Sequence, residues 1–302
     1  MPGILIVWFQ LSPIAEFEFL RSSLAKYVIN PNLLESFFSD SPNNVFDENK
    51  AGGFFVNGNV AAAYFGMAGF VALGLWMAYG KWFYLVFYLV FWSFAVFTGS
   101  KSSIVFITLF LLFFWVILDS KYKFTIYLFL GILGFTIMIF LAGHLNVFKD
   151  ELIKTISVRV LIWSHFLNIF IPNFYQGLGF GGWLPSFLEY AQSFGMTAAF
   201  PPHNLLIATW AESGFLALML LIVFYCYLIR FSLRLIRASG KEQKGLGVAV
   251  FFSSLWILLH GMGENFGPIG EDHMFVLHAV VLGCSYARYK KDIEYRKSNT
   301  DL

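Results

Sequence analysis

The chain has 302 residues, of which 58% are hydrophobic, 20% aromatic and only 13% charged, with a mean hydropathy of +0.69. An average soluble domain carries roughly 25% charge, so this composition excludes a soluble globular protein and defines an integral membrane protein. The net charge of +2, with Lys and Arg dispersed along the chain, also excludes a nucleic-acid footprint.

A hydrocarbon core of roughly 30 Å asks for about 20 apolar residues per helix. Met1 to Ala15 is apolar but interrupted by Pro2, Gln10 and Pro13, with no basic residue ahead of it; it makes a poor signal peptide and a short membrane helix. A polar stretch, Glu16 to Asn59, comes next. Four apolar segments follow, Val60 to Tyr79, Trp82 to Phe97, Ser102 to Leu118 and Phe124 to Ala142. After a second polar stretch, Gly143 to His203, come Asn204 to Ile229, Val248 to Met262 and His273 to Ala287. The expected fold is therefore all-α: a polytopic membrane helix bundle of about seven transmembrane helices with a long extracytoplasmic loop. It divides into a short apolar N-terminus with a polar segment (1–59), four spans (60–142), the loop (143–203), three spans (204–288) and a tail (289–302). Cys226 and Cys284 both lie inside apolar runs, which excludes a disulfide framework and reads as packing.

Orientation follows from Lys and Arg, which concentrate in cytoplasmic loops near membrane ends. One side collects thirteen of them, at Lys81, Lys121 and Lys123, between Arg230 and Lys244, and between Arg288 and Lys297. The other collects seven: Arg21, Lys26, Lys50, Lys101, Lys149, Lys154 and Arg159. The second side, with both long polar stretches, is expected outside. No nucleoside triphosphate is available there, so chemistry at that face needs a substrate that arrives activated, such as a lipid-linked donor.

Within the outer loop, Glu151 to Ile171 has Ile153, Ile156, Val160, Trp163, Leu167 and Phe170 at helical spacing, the pattern of an amphipathic helix lying at the membrane interface. Arg159 and His165 occupy its less apolar flank. The Arg159 guanidinium there would either reach head groups or hold a phosphate through two hydrogen bonds. Gly177-Leu-Gly179-Phe-Gly181-Gly182 contains a formal GxGxxG, but with no strand before it and no helical pattern before Pro185 it reads as a flexible turn and not a dinucleotide site.

His203-Asn204 follows Pro201-Pro202 and opens a span. Asn204 suits the helix cap, and the positive terminus favours a neutral imidazole at His203, which would either hydrogen-bond water and head groups at the interface or act as a general base. Glu212, inside the same apolar run, is expected to face the protein interior with a partner or to be protonated, because a carboxylate within a span costs about 2.5 to 3.5 kcal/mol on insertion scales. Glu264, Glu271, Asp272 and His273 have metal-binding composition without the spacing of a metal site, and read as a solvated loop. Charge topology brings Lys50, Lys101, Arg159 and His203 to one outer face, where cations around a neutral histidine suit an anionic diphosphate donor.

Four stretches resemble the O-antigen ligase and O-antigen polymerase superfamily of bacterial polysaccharide assembly. Lys50-Ala-Gly-Gly-Phe-Phe-Val-Asn-Gly-Asn59 is similar to its Arg-x-x-Gly-x-Phe-x-Asn-Pro-Asn element, and Phe97-Thr-Gly-Ser-Lys-Ser102 to its Thr-Gly-Ser-Arg-Gly. Arg159-Val-Leu-Ile-Trp163, with Pro172 and Gln176-Gly-Leu-Gly-Phe180, is similar to its Arg-x-x-x-Trp and Pro-x-x-Gly-x-Gly loop. His203-Asn204 and Gly214 match the ligase signature His-Asn-x9-Gly-x-x-Gly, with Ala217 in place of the last glycine. Lysines at 50 and 101 stand where the family has arginine, a point charge for a planar fork, and Gly58 stands for proline, which is expected to loosen that turn. Family members have about ten or more helices, so the likeness implies a fragment or a shortened homologue lacking N-terminal helices.

The resemblance implies a metal-independent glycosyltransferase without cofactor, multi-pass in the bacterial inner membrane with a periplasmic active face. The donor would be a glycan on undecaprenyl diphosphate. His203 and Arg159 would be catalytic; Lys50, Lys101 and Arg159 would hold the diphosphate; Asn59, Asn204, Glu212 and Gly214 would support them. Membrane lipids surround the chain. The acceptor would be lipid A core in a ligase, or a lipid-linked glycan in a repeat-unit polymerase. A transporter or flippase, which would want ionisable residues at the midplane and an internal repeat, and an inactive remnant are the weaker alternatives.

Overall fold

A computed structural model describes residues 2–29, 34, 50–55, 57–100, 145–197, 199–238, 240–264 and 272–300. All regular structure among them is helical: α1 (Pro2–Leu11), α2 (Pro13–Arg21), α3 (Ala25–Val28), a 3-10 turn (Gly53–Phe55), α4 (Gly58–Tyr79), α5 (Trp82–Phe97), α6 (Leu145–Phe170), α7 (Trp183–Gln192), α8 (Leu205–Ile236), α9 (Lys241–Gly261) and α10 (Asp272–Thr300). Among the described residues α4, α8 and α9 are long and apolar enough to cross a membrane. The expected spans Ser102 to Leu118 and Phe124 to Ala142 lie outside the described residues.

The chain divides into two compact units, one of Met1–Ser103, Val223–His260 and Phe266–Leu302, the other of Ile104–Ile222 with Gly261–Asn265. In the first, α4 and α9 approach closely along small residues. A Cβ on Gly66 would run into the Trp256 indole, and one on Gly245 would lie 2.5 Å from the Ala78 backbone nitrogen. Such seams matter in lipid, where apolar burial does not drive helices together and close backbone packing does. The buried Trp256 donates its ring N–H to the Ala63 carbonyl at 2.9 Å, so the large side chain is both packed and satisfied.

At one end of this unit Glu242 accepts from the Tyr79 hydroxyl at 3.0 Å and pairs with Arg288 at 3.1 Å, joining the C-terminus of α4, the start of α9 and the middle of α10. The helix that contains the span expected from Val248 begins earlier, at Lys241, and the last helix continues to Thr300, into the residues expected as a tail. Hydropathy marks what lipid tolerates, whereas the helix continues through good helix formers such as Lys290 and Glu294, themselves 3.9 Å apart as an i,i+4 pair.

The second unit is built on a core of Ile162, Trp183, Phe187, Ala191, Ile207, Trp210 and Ala211, contributed by α6, α7 and the first turns of α8. Helix α6 extends further toward the N-terminus than expected, and the core takes the other side of it: Val158, Leu161, Ile162, Phe166 and Ile169 pack inward while Ile156, Val160, Trp163 and Leu167 are exposed. Both sides are apolar, so the spacing that defines the helix does not choose its buried face. His165, expected on the polar flank, is 3% exposed, with Nε2 3.1 Å from the Ser186 hydroxyl and its ring against Trp183, Phe187 and Tyr190.

Candidate functional site

The four sequence elements associate in pairs, one pair in each unit. In the first unit the Lys50 element folds against the Thr98 turn: the Ala51 amide donates to the Thr98 carbonyl at 3.1 Å, and a Cβ on Gly58 would stand 2.8 Å from that same oxygen. The Asn57 side chain caps α4 by accepting from the Asn59 amide at 2.8 Å. Gly58 therefore does not loosen the turn; its missing side chain is the space the Thr98 carbonyl occupies. From below, Glu16 accepts from the Gly52 and Gly53 amides at 3.0 and 3.1 Å. Burial raises the pKa of this carboxyl, and the two backbone hydrogen bonds oppose the rise. Lys50 is half-buried at the start of this arrangement, whereas Lys101 lies outside the described residues.

In the second unit the glycine loop and α8 lock together. The Leu178 amide donates to the Ala211 carbonyl at 2.7 Å and the Phe215 amide to the Tyr175 carbonyl at 3.0 Å. Those two α8 groups would bond each other in a continuous helix; here Gly214, at φ 77 and ψ −176, breaks the helix and the loop supplies both partners. Gly177 is equally constrained, since a Cβ there would overlap the Trp210 carbonyl. The expected flexible turn is thus a fixed brace, and α7 begins at Trp183 with Pro185 in its first turn, where a missing amide costs no helix bond. A helix does follow the GxGxxG after all, but α6 and not a strand precedes it, so the dinucleotide motif stays incomplete.

The brace and the core fix the point at which α8 begins. Asn204 accepts from the amides of Leu206 and Ile207 at 2.9 and 3.2 Å and so caps the helix. His203, just before it, has φ 48, a left-handed conformation rare outside glycine and typical of functional strain. Three consecutive residues beyond α9 meet this corner. The Met262 carbonyl faces the Asn204 amide group at 3.4 Å, the Gly263 carbonyl accepts from Arg159 Nη2 at 2.8 Å, and Glu264 Oε2 lies 3.6 Å from His203 Nδ1. Arg159 and His203 are therefore set on one turn of three residues.

Glu212 does not face the interior as expected: Trp210 and Ala211 take the core-facing side just ahead of the Gly214 break, which leaves the carboxylate on the exposed side of α8. The role of Glu264 had no sequence signal of its own, because it rests on contact with a residue far away in the chain. Glu16 and Asn57 were missed for different reasons. The first also needs the fold, whereas an Asn one position before a helical run is a cap signal that could have been read.

An all-helical membrane protein that sets a histidine and an arginine on one turn outside its apolar core is the class these features define. Residues 85–222 match the family described as O-Antigen ligase, and this match supports the likeness to the O-antigen ligase superfamily. Members are glycosyltransferase-like membrane enzymes of lipid-linked polysaccharides. The matched stretch contains Lys101, Arg159, His203, Asn204, Glu212 and Gly214, while Lys50, Asn59 and Glu264 lie beyond it. No curated protein and no solved structure matches the chain.

Proposed function

We propose that this protein transfers a glycan from undecaprenyl diphosphate to an acceptor hydroxyl at the periplasmic face of the bacterial inner membrane, as an O-antigen ligase acting on lipid A core. The observation that carries the reading is the convergence of Arg159 and His203 on the Met262 to Glu264 turn. The acceptor oxygen attacks the anomeric carbon, the bond from that carbon to the diphosphate oxygen breaks, and the acceptor proton passes to His203. General-base help of this kind is worth typically about 10²- to 10⁴-fold in rate. Arg159, with Lys101 and Lys50, neutralises the undecaprenyl diphosphate that departs as an anion and needs no proton. Asn204 and Gly214 hold the base in place by capping and breaking α8. The seven-span topology, with residues 1–59 and 143–203 outside, is part of the same proposal, and neither metal nor cofactor enters the reaction.

A product assay with the full chain in lipid bilayers tests it. Undecaprenyl-diphosphate oligosaccharide is offered with lipid A core, and products are read by mass. Glycan on the core is the expected product; longer lipid-linked chains would instead define a polymerase of the same superfamily. His203→Ala should remove all transfer while the protein still inserts in the membrane. Full activity in that variant overturns the assignment of the base.

A further inference from the structure

We infer that Glu264 is the positioning partner of His203, fixing its tautomer and pairing with the imidazolium that forms when it takes a proton; this rests on the base assignment above. Both side chains are largely covered, at 19% and 13% exposure, and the nitrogen turned toward the carboxylate, Nδ1, is buried with no partner at hydrogen-bond length. A covered polar atom in a native structure calls for an explanation, and the carboxylate 3.6 Å away supplies one. That separation is slightly longer than a hydrogen bond, as base-orienter contacts often are before substrate binds.

The chemistry follows from the ring. A carboxylate at Nδ1 favours the tautomer with hydrogen on Nδ1, leaving the Nε2 lone pair to receive the acceptor proton. Once that proton arrives, the ring is a cation beside an anion in a site with restricted water, so the charge formed in the transfer step is met where it appears. The backbone leaves the ring little freedom to find this geometry otherwise. His203 is held left-handed between Pro202 and the Asn204 cap, and Asn204 reaches the same turn that carries Glu264. Arg159 is bound to the residue between them, so one turn sets the cation for the leaving diphosphate and the anion for the base. Among the described residues the charged side chains shown on this turn are Glu264 itself and Arg159 from α6, which oppose each other in their effect on an imidazolium.

The test uses the full chain in lipid with variants at Glu264 and at His203. Glu264→Gln keeps the shape and an acceptor and removes the charge; it should lower kcat about 10- to 100-fold and leave KM for donor and acceptor within about twofold. Glu264→Asp should recover part of kcat. Nitrogen-15 NMR of His203 should show hydrogen on Nδ1 in the wild type and loss of that tautomer in Glu264→Leu, which offers no acceptor, a readout independent of turnover. Wild-type kcat in Glu264→Gln, or an unchanged tautomer in Glu264→Leu, overturns the inference. An active His203→Ala would defeat the catalytic reading instead, while the tautomer measurement would still decide whether the pair exists.

Discussion

Replacing Gly214 by alanine tests whether the break in α8 is a built feature. Its φ of 77 and ψ of −176 fall in a region essentially reserved for glycine, and holding another residue in sparsely populated backbone space costs about 1–3 kcal/mol. The added Cβ would also overlap the Tyr175 carbonyl. The alternative for the variant is to close the helix. That regains the bond from the Phe215 amide to the Ala211 carbonyl and about 1 kcal/mol of helix propensity, but strips partners from Leu178 and Tyr175 at roughly 1 kcal/mol each. Strain and closure therefore act in the same direction, weakening the hold on the 175–178 segment by about 1–3 kcal/mol. At 1.4 kcal/mol per tenfold this is about a 5- to 150-fold increase in local opening. Hydrogen exchange read by mass spectrometry on protein in lipid nanodiscs should show that loss of protection at Leu178, while α7 keeps its own. Protection at Leu178 within about twofold of wild type would refute the idea that the glycine maintains the brace.

Glu16→Ala should strip the Gly52 and Gly53 amides of their acceptor, at a cost of about 1–3 kcal/mol, seen as earlier proteolysis at residues 50–57, whereas Glu16→Gln keeps a neutral acceptor and should match the wild type below pH 4.5. Because burial raises the Glu16 pKa above 4.5, folding favours its protonated form. The wild type should then be most stable below pH 4.5 and lose that increment as pH rises through the raised value, a dependence that Glu16→Gln should abolish. Burial moves His165 the opposite way for a base, below its ordinary 6.5. Its contribution is fully present above pH 6.5 and should be lost as pH falls beneath it, visible as a change in Trp183 fluorescence that flattens in His165→Gln; an equal change in that variant would exclude His165 as the cause.

How much of this was legible in sequence depended on what each feature rests upon. The segment from Trp82 to Phe97 has the expected bounds because a continuous apolar run is closed at one end by Gly80-Lys81 and at the other by Thr98-Gly99, so lipid preference and helix limits coincide. They part at Lys241 and again after Arg288, where helix formers continue without apolar character. Helix α6 was legible as a helix but not in its facing, because apolar residues at Ile156 and Val160 and at Val158 and Ile162 give two competing stripes. Among the site residues, the position of Asn204 before an apolar run states a cap by local chemistry alone. Glu264, Glu16 and the exposure of Glu212 depend on contacts or orientations that only the folded chain supplies.

The pairing of the motifs also explains why residues with no chemistry belong in them. In each pair the contacts that join the two elements are made by main-chain groups: the Ala51 amide with the Thr98 carbonyl, and Leu178 and Phe215 with the two sides of the Gly214 break. Glycines at 58, 177 and 214 stand where a Cβ would collide with a carbonyl of the partner element. A substitution at Lys50 changes the charge presented there, but one at Gly58 moves the Thr98 turn against which the whole Lys50 element is registered. The replacement of the family's proline by Gly58 is accordingly not a weakening. A proline carries the Cβ that the Thr98 carbonyl excludes, so the closer approach seen here requires glycine, and the position of Lys50 follows from that approach because its own Cβ lies 3.0 Å from where the Gly58 side chain would begin. The cation and the small residue eight positions after it are therefore one structural unit, and the departure at either is to be judged with the other.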